Sequence, residues 1–190
     1  MSLVAPRIAC LGWGSLCWNP GELRTSGGWR ADGPELPLEF TRASDKGKGR
    51  LTLVITPGVS EVQCLWTLLT YGGVAEAAAA LREREGCALG AIGRWPGADE
   101  HQRPGGNAIG AWARAKGLDD VTWTALRPKF RNVDGQQPAN AQEALEYLLT
   151  RPAGVREEAE EYVRKAPIQI RTAFRKTFEE QLGGTPLSGS

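Results

Sequence analysis

Two features of this chain could do chemistry. The first is a pair of glutamates that closes an alanine-rich segment ending Leu81-Arg82-Glu83-Arg84-Glu85-Gly86. At about 100° per residue, Val74, Ala77, Ala78 and Leu81 share one helical face, and Glu85 falls on it about 20° from Val74. Glu83 falls on the opposite face, toward water. A carboxylate on a core-facing stripe is costly unless it is paired or protonated. It therefore reads either as a proton carrier or as the partner of a structural arginine such as Arg42 or Arg94.

The second feature is the run Gly12-Trp13-Gly14-Ser15-Leu16, which follows a short apolar strand at 8–11. It lacks the third glycine of a dinucleotide fingerprint and the Gly-Lys-Ser/Thr ending of a P-loop. Two readings stand. One is a tight turn in which glycine supplies a positive φ. The other is a concave anion site, in which successive backbone N–H groups hold a carboxylate or a developing oxyanion. Together, such a turn and a core-facing glutamate suggest acid–base chemistry on a small acidic substrate.

Other reactive side chains are sparse. The four cysteines, Cys10, Cys17, Cys64 and Cys87, form no CxxC pair, and His101 is the one histidine. A Cys/His zinc site is disfavoured on that count. A Cys87–His101 dyad and a Ser-His-Asp triad both depend on a histidine in a Gly/Pro-rich loop and are weak readings. Cys10 and Cys64 sit in strand-like runs and read as buried small hydrophobes.

The elements that must position these residues follow from periodicity. Strands are expected at 8–11, 36–43, 51–55, 62–69, 91–95 and 121–126. Asn19-Pro20 looks like the start of a short helix. The helix at 74–85 ends at Gly86 as its left-handed cap. A loop is expected over 99–106, then a helix at 108–116 capped by Asn107. From Ala139 three apolar stripes predict helices: Ala141, Ala144, Leu145 and Leu148; Val155, Ala159, Tyr162 and Val163; and, opened by Pro167, Ile170, Phe174 and Phe178. The class is α+β with a small mixed sheet or barrel. The expected organisation is a core over 1–138, C-terminal helices over 139–182 packed on it, and a disordered tail over 183–190.

Composition sets bounds. With 190 residues and a formal net charge of +1, the chain suits one globular domain and has no basic stripe of the kind that binds nucleic acid. No apolar stretch approaches the roughly 20 residues that span a bilayer. The 3–11 stretch is broken by Pro6 and Arg7 and lacks a signal-peptide pattern. A cytoplasmic protein is expected, with no nucleic-acid or membrane partner, and the sequence leaves its oligomeric state open.

Two motifs also carry a family resemblance. Leu11-Gly12-Trp13-Gly14-Ser15-Leu16-Cys17-Trp18-Asn19-Pro20-Gly21 resembles the Tyr-Gly-Ser-Leu/Asn loop of the γ-glutamylcyclotransferase-like superfamily. Leu81-x-x-x-Glu85-Gly86 is similar to its Leu-Asp-x-x-Glu-Gly element, whose glutamate is the family's acid/base. The resemblance spans about 7–95. It implies a compact mixed β-barrel with surrounding helices. It also implies cyclisation of a γ-glutamyl amine or peptide to 5-oxoproline, with Glu85 as general acid/base, Gly12, Trp13, Gly14, Ser15 and Leu16 as substrate-binding residues, and no metal or cofactor. The chain departs from the pattern in three places. Trp13 stands where the loop tyrosine is usual, Arg82 stands where the aspartate is usual, and 87–92 lack the tyrosine often found a few residues beyond Glu-Gly.

Overall fold

The computed structural model describes residues 5–182, so the tail expected at 183–190 lies outside the described residues. The strands are β1 (Ile8–Gly12), β2 (Thr25–Arg30), β3 (Glu35–Ala43), β4 (Leu51–Ile55), β5 (Glu61–Gln63), β6 (Leu65–Leu69), β7 (Ile92–Trp95), β8 (Asp120–Thr124), β9 (Lys129–Phe130) and β10 (Val133–Asp134). The helices are α1 (Val74–Glu85), α2 (Asp99–Gln102), α3 (Gly106–Ala115), α4 (Ala141–Leu149), α5 (Ala153–Lys165) and α6 (Ala173–Gln181). The protein is α+β, with two mixed sheets. Among the described residues, none of its helices is long and apolar enough to cross a membrane.

The chain divides into two compact units that do not follow chain order. One comprises Met1–Gly12, Asn19–Leu36 and Gln63–Leu126; the other comprises Trp13–Trp18, Pro37–Val62 and Arg127–Ser190. The first unit holds the sheet β2-β6-β1-β8-β7. β1 lies at its centre, antiparallel to β6 and parallel to β8, and all five of its residues are buried. A strand covered on both faces needs a continuous apolar run rather than alternation, and Ile8-Ala9-Cys10-Leu11 provides one. α1 packs on β7 and β8 through Ala77, Ala78 and Leu81.

Three segments of this unit differ from the sequence expectation. No helix follows Asn19-Pro20: a 3-10 turn at Ser15–Cys17 precedes that pair, and the strand β2 follows it. Gly27-Gly28 reads as a chain breaker, but β2 is an edge strand. Its pairing with β6 shifts register between Ser26 and Arg30, and Gly27 sits in that irregularity at φ 82°. A bulge is the place where a strand tolerates glycine. The expected strand at 62–69 breaks into β5 and β6 at Cys64, whose backbone N–H donates to the Pro34 carbonyl and whose carbonyl accepts from Gly33. The expected loop at 99–106 contains the single turn α2, and α3 begins at Gly106 rather than after Asn107. The Asn107 side chain pairs with His101 Nδ1 at 3.0 Å.

The second unit holds the sheet β10-β9-β3-β4, with β3 antiparallel to β4 and parallel to β9. α4, α5 and α6 pack on one another. Phe40 of β3 meets Phe178 of α6 and Tyr162 of α5 edge-on, with centroids 5.6 Å and 6.1 Å apart. Beside this apolar contact lies a buried acid. Glu39 is 2% exposed. Its Oε1 accepts from Thr172 Oγ1 at 2.5 Å and from the Phe40 N–H at 2.9 Å, and its Oε2 accepts from the Phe174 N–H at 3.2 Å. The carboxylate thus sits on the N-terminus of α6, where orphan N–H groups and the helix dipole favour an anion.

The third apolar stripe predicts a helix opening at Pro167, yet α6 begins at Ala173. Arg175 explains the delay. It is buried, and its guanidinium donates to the Pro167, Ile170 and Ala166 carbonyls at 2.6, 3.0 and 3.0 Å. Those carbonyls accept from a side chain, the Pro167 carbonyl also from the Ile170 N–H at 2.9 Å, and Thr172 becomes the N-cap by accepting from the Arg175 N–H.

Burial pushes the Glu39 carboxyl above the usual glutamate range, against the opposing hydrogen bonds of Thr172, Phe40 and Phe174. Two outcomes are expected. Glu39→Gln replaces one acceptor oxygen with an N–H₂ that faces the Phe174 N–H or the Phe40 N–H, and should destabilise the fold by about 1–3 kcal/mol in chemical denaturation. In the wild type the folded state holds a proton that the unfolded chain has released, over the window between the ordinary value and the raised one. Its stability should therefore fall as pH rises through that window, while the Gln variant shows no such slope. Parallel stability curves for the two proteins would contradict this account.

Candidate functional site

Glu85 is the last residue of α1, and the cap that follows it has the expected form: Gly86 is left-handed at φ 64°, with its N–H on the Arg82 carbonyl at 2.8 Å. The Glu85 side chain is 17% exposed and the Glu83 side chain is 72% exposed. The ion pair of Glu85 is with its chain neighbour: Arg84 Nη1 lies 2.7 Å from Glu85 Oε1. Arg84 also reaches back 65 positions. Its Nε and Nη2 donate to the Asn19 carbonyl at 3.0 and 2.5 Å. One guanidinium therefore links the Glu85 carboxylate to the backbone of the residue that follows the Trp13–Trp18 turn in the chain. The fork geometry of arginine permits this, since its planar donors serve two acceptors at once.

Of the two arginines named as partners in the sequence, the guanidinium of Arg42 is engaged elsewhere. Arg42 donates to the Arg127 carbonyl at 2.8 Å and lies 3.9 Å from Asp134. Arg94 is exposed, and its backbone N–H donates to Asp99. Among the described residues of the first unit, Glu100 is the buried acid; it accepts from Trp95 Nε1 at 3.0 Å and pairs with Arg114 at 2.7 Å. The Arg114 guanidinium holds its carboxyl below the usual glutamate range. Glu100 is thus committed to a structural pair.

Gly12 ends β1 opposite Leu65 and belongs to the first unit with Glu85; Trp13, Gly14, Ser15 and Leu16 belong to the second. Trp13 is 5% exposed and its indole N–H donates to the Leu53 carbonyl at 3.2 Å. Leu16 is buried and Ser15 partly so. The turn is closed by the Cys17 N–H on the Gly14 carbonyl at 2.9 Å.

The positive φ that would explain the glycines is absent: Gly14 has φ −123°. Gly14 is required for space instead. A Cβ there would collide with the Tyr162 hydroxyl, and the Tyr162 ring carbon bearing it would sit at 3.4 Å. Tyr162 also meets Trp18 edge-on at 5.3 Å and lies under the Arg50 guanidinium at 5.0 Å. The loop lacks its own tyrosine, yet a tyrosine hydroxyl from α5 is pressed against it. The sequence places Tyr162 in an apolar stripe and gives no sign of this meeting, because the two residues lie far apart in the chain.

Overpacking costs roughly 1–3 kcal/mol, so Gly14→Ala should lower the melting temperature. Adding Tyr162→Phe removes the colliding oxygen and leaves ordinary contact with the ring. The double variant should recover most of the loss relative to Tyr162→Phe alone. Additive effects in the double-mutant cycle would show that Tyr162 is not what Gly14 accommodates.

No family model matches this chain, and no curated protein matches it significantly.

Proposed function

We propose that the protein is a γ-glutamylcyclotransferase-like enzyme that converts a γ-glutamyl amine or peptide to 5-oxoproline and a free amine. The assignment to that superfamily's mixed-barrel fold is part of the same proposal. The observation that carries the reading is the Arg84 guanidinium, bonded at once to the Glu85 carboxylate and to the carbonyl of Asn19, three residues past Leu16. Glu85, Arg84, Asn19 and Gly12 all belong to the first unit.

In the proposed reaction the substrate's α-amine nitrogen bonds to its own γ-carbonyl carbon, and the bond from that carbon to the leaving amine breaks. The reaction is intramolecular, so proximity supplies much of the acceleration. What remains is proton traffic. Glu85 takes the proton that the α-ammonium must lose and returns it to the departing nitrogen. Arg84 acts as a positioning residue that fixes the rotamer of Glu85. Backbone N–H groups of Gly12–Leu16 hold the glutamyl end.

A second reading has its own support. The Glu85 carboxylate is already ion-paired and the Trp13 indole is already bonded, as suits a small-molecule-binding or interaction module that performs no chemistry.

The test is 5-oxoproline release from γ-glutamyl amino acids, γ-glutamyl amines and glutathione. Glu85→Gln should lower kcat by about 10²-fold or more, with an unchanged circular dichroism spectrum. Full activity in that variant would remove Glu85 from the mechanism. Absence of turnover in the wild type, with a substrate-dependent rise in melting temperature, would favour the binding module.

A further inference from the structure

The second unit contains a cavity of about 680 Å³ that neither chemical feature of the sequence touches. It is bounded by the β3–β4 turn (Ser44, Asp45, Lys48, Gly49), the β9–β10 turn (Arg131, Asn132) and the end of α4 (Glu146, Tyr147, Thr150, Arg151). That size lies within the range of small-molecule sites, roughly 300–1,000 Å³, but the wall is polar where most such sites are apolar.

The backbone marks this cavity as unusual. Among the described residues, Lys48 (φ 49°), Arg131 (φ 49°) and Asn132 (φ 65°) are the non-glycine residues at positive φ, and all three line it. Asparagine adopts the left-handed region more readily than lysine or arginine. The two-residue turn between β9 and β10 needs positive φ at both positions, where asparagine and glycine are the unstrained choices. Two separate turns therefore each keep a cation where the backbone favours a smaller residue, and both cations face one space. Backbone strain held in this way clusters at ligand sites.

The charges point the same way. Asp45 on the wall is taken by Lys129 at 2.7 Å. Arg131 pairs with Glu143 at 3.1 Å in an exposed and therefore weak bridge. Among the described residues, Lys48 and Arg151 have no ion pair. Arg151 lies over the Tyr147 ring at 4.5 Å and donates Nη2 to Thr150 Oγ1 at 3.1 Å, while its buried Nε has no hydrogen-bond partner among the described residues. Glu146 accepts from Gln142 at 3.1 Å and adds one negative charge to the wall, which disfavours a polyanion and suits a donor on the ligand.

We propose that this cavity binds a small molecule bearing a single oxyanion group, a carboxylate or a phosphate, through Lys48, Arg131 and Arg151, with Glu146 receiving a donor of the same ligand. Glu85 does not line the cavity, so the proposal stands whether or not the chain is a cyclotransferase.

The experiment is a ¹H–¹⁵N titration of the full chain with acetate, L-serine and inorganic phosphate, against chloride at matched ionic strength. At least one of the three should give saturable shifts centred on Lys48, Gly49, Arg131, Asn132 and Thr150, with Kd about millimolar or tighter. L-Serine binding more tightly than acetate would place its ammonium on Glu146; phosphate alone binding would identify the oxyanion as a phosphate. Arg151→Met, Arg131→Asn and Lys48→Gly should each weaken binding about tenfold or more. The latter two should also raise the melting temperature by relieving the left-handed strain. That opposition separates loss of binding from loss of fold. Shifts no different from chloride, unaltered affinity in Arg131→Asn and Lys48→Gly, or binding confined to an acidic peptide such as tetraglutamate would each overturn the proposal.

Discussion

The second unit depends on one buried carboxylate. Glu39 lies mid-strand in β3, is almost wholly removed from water, and accepts three hydrogen bonds from the entrance of α6 and from its own strand. A charge in such a place is tolerated only because donors converge on it, and removing any of them leaves a costly remainder. The Glu39–Thr172 bond ties residues 133 positions apart. With Arg175 it sets where α6 begins and, through that helix, where Phe178 meets Phe40 of the sheet. Arg175, one turn further on, holds the preceding segment by its carbonyls. Glu39 and Arg175 each meet several partners and together fix the arrangement that the aromatic contacts then fill.

Arginine does comparable work in the first unit. Arg84 has no place in a motif, yet its guanidinium joins the end of α1 to Asn19. Glycine acts by absence in the second, where Gly14 leaves room for the Tyr162 hydroxyl. In each case a residue's value lies in what approaches it from a distant part of the chain. The strained cations of the two hairpin turns belong to the same pattern, since residues poorly suited to their own backbone share one cavity.

The elements most readable in advance were those whose stability is local. α1 runs over Val74–Glu85 and β4 over Leu51–Ile55, as their periodicity predicts. The alanine-rich face of α1 and its terminal glycine are properties of adjacent residues. β2 was unreadable because its two glycines make a poor strand alone; pairing with β6 and a bulge make it one. Pro167 is a good local helix opener, yet α6 starts later, because Arg175 folds back on the preceding carbonyls and Thr172 is held by Glu39.

By itself the sequence determined an α+β protein, the apolar faces of its helices, the cap of α1 and the side of that helix on which Glu85 falls. These follow from periods of 3.6 and 2 and from the φ preferences of single residues. The tertiary structure decided the rest: that Glu85 pairs with Arg84, that Gly14 yields to Tyr162 rather than adopting a positive φ, that Glu39 and not Glu85 is the most deeply buried acid, and that two turns and a helix end enclose a cation-lined cavity. Which partner a side chain turns to, and which distant residue approaches it, has no period, so no local pattern announces these contacts.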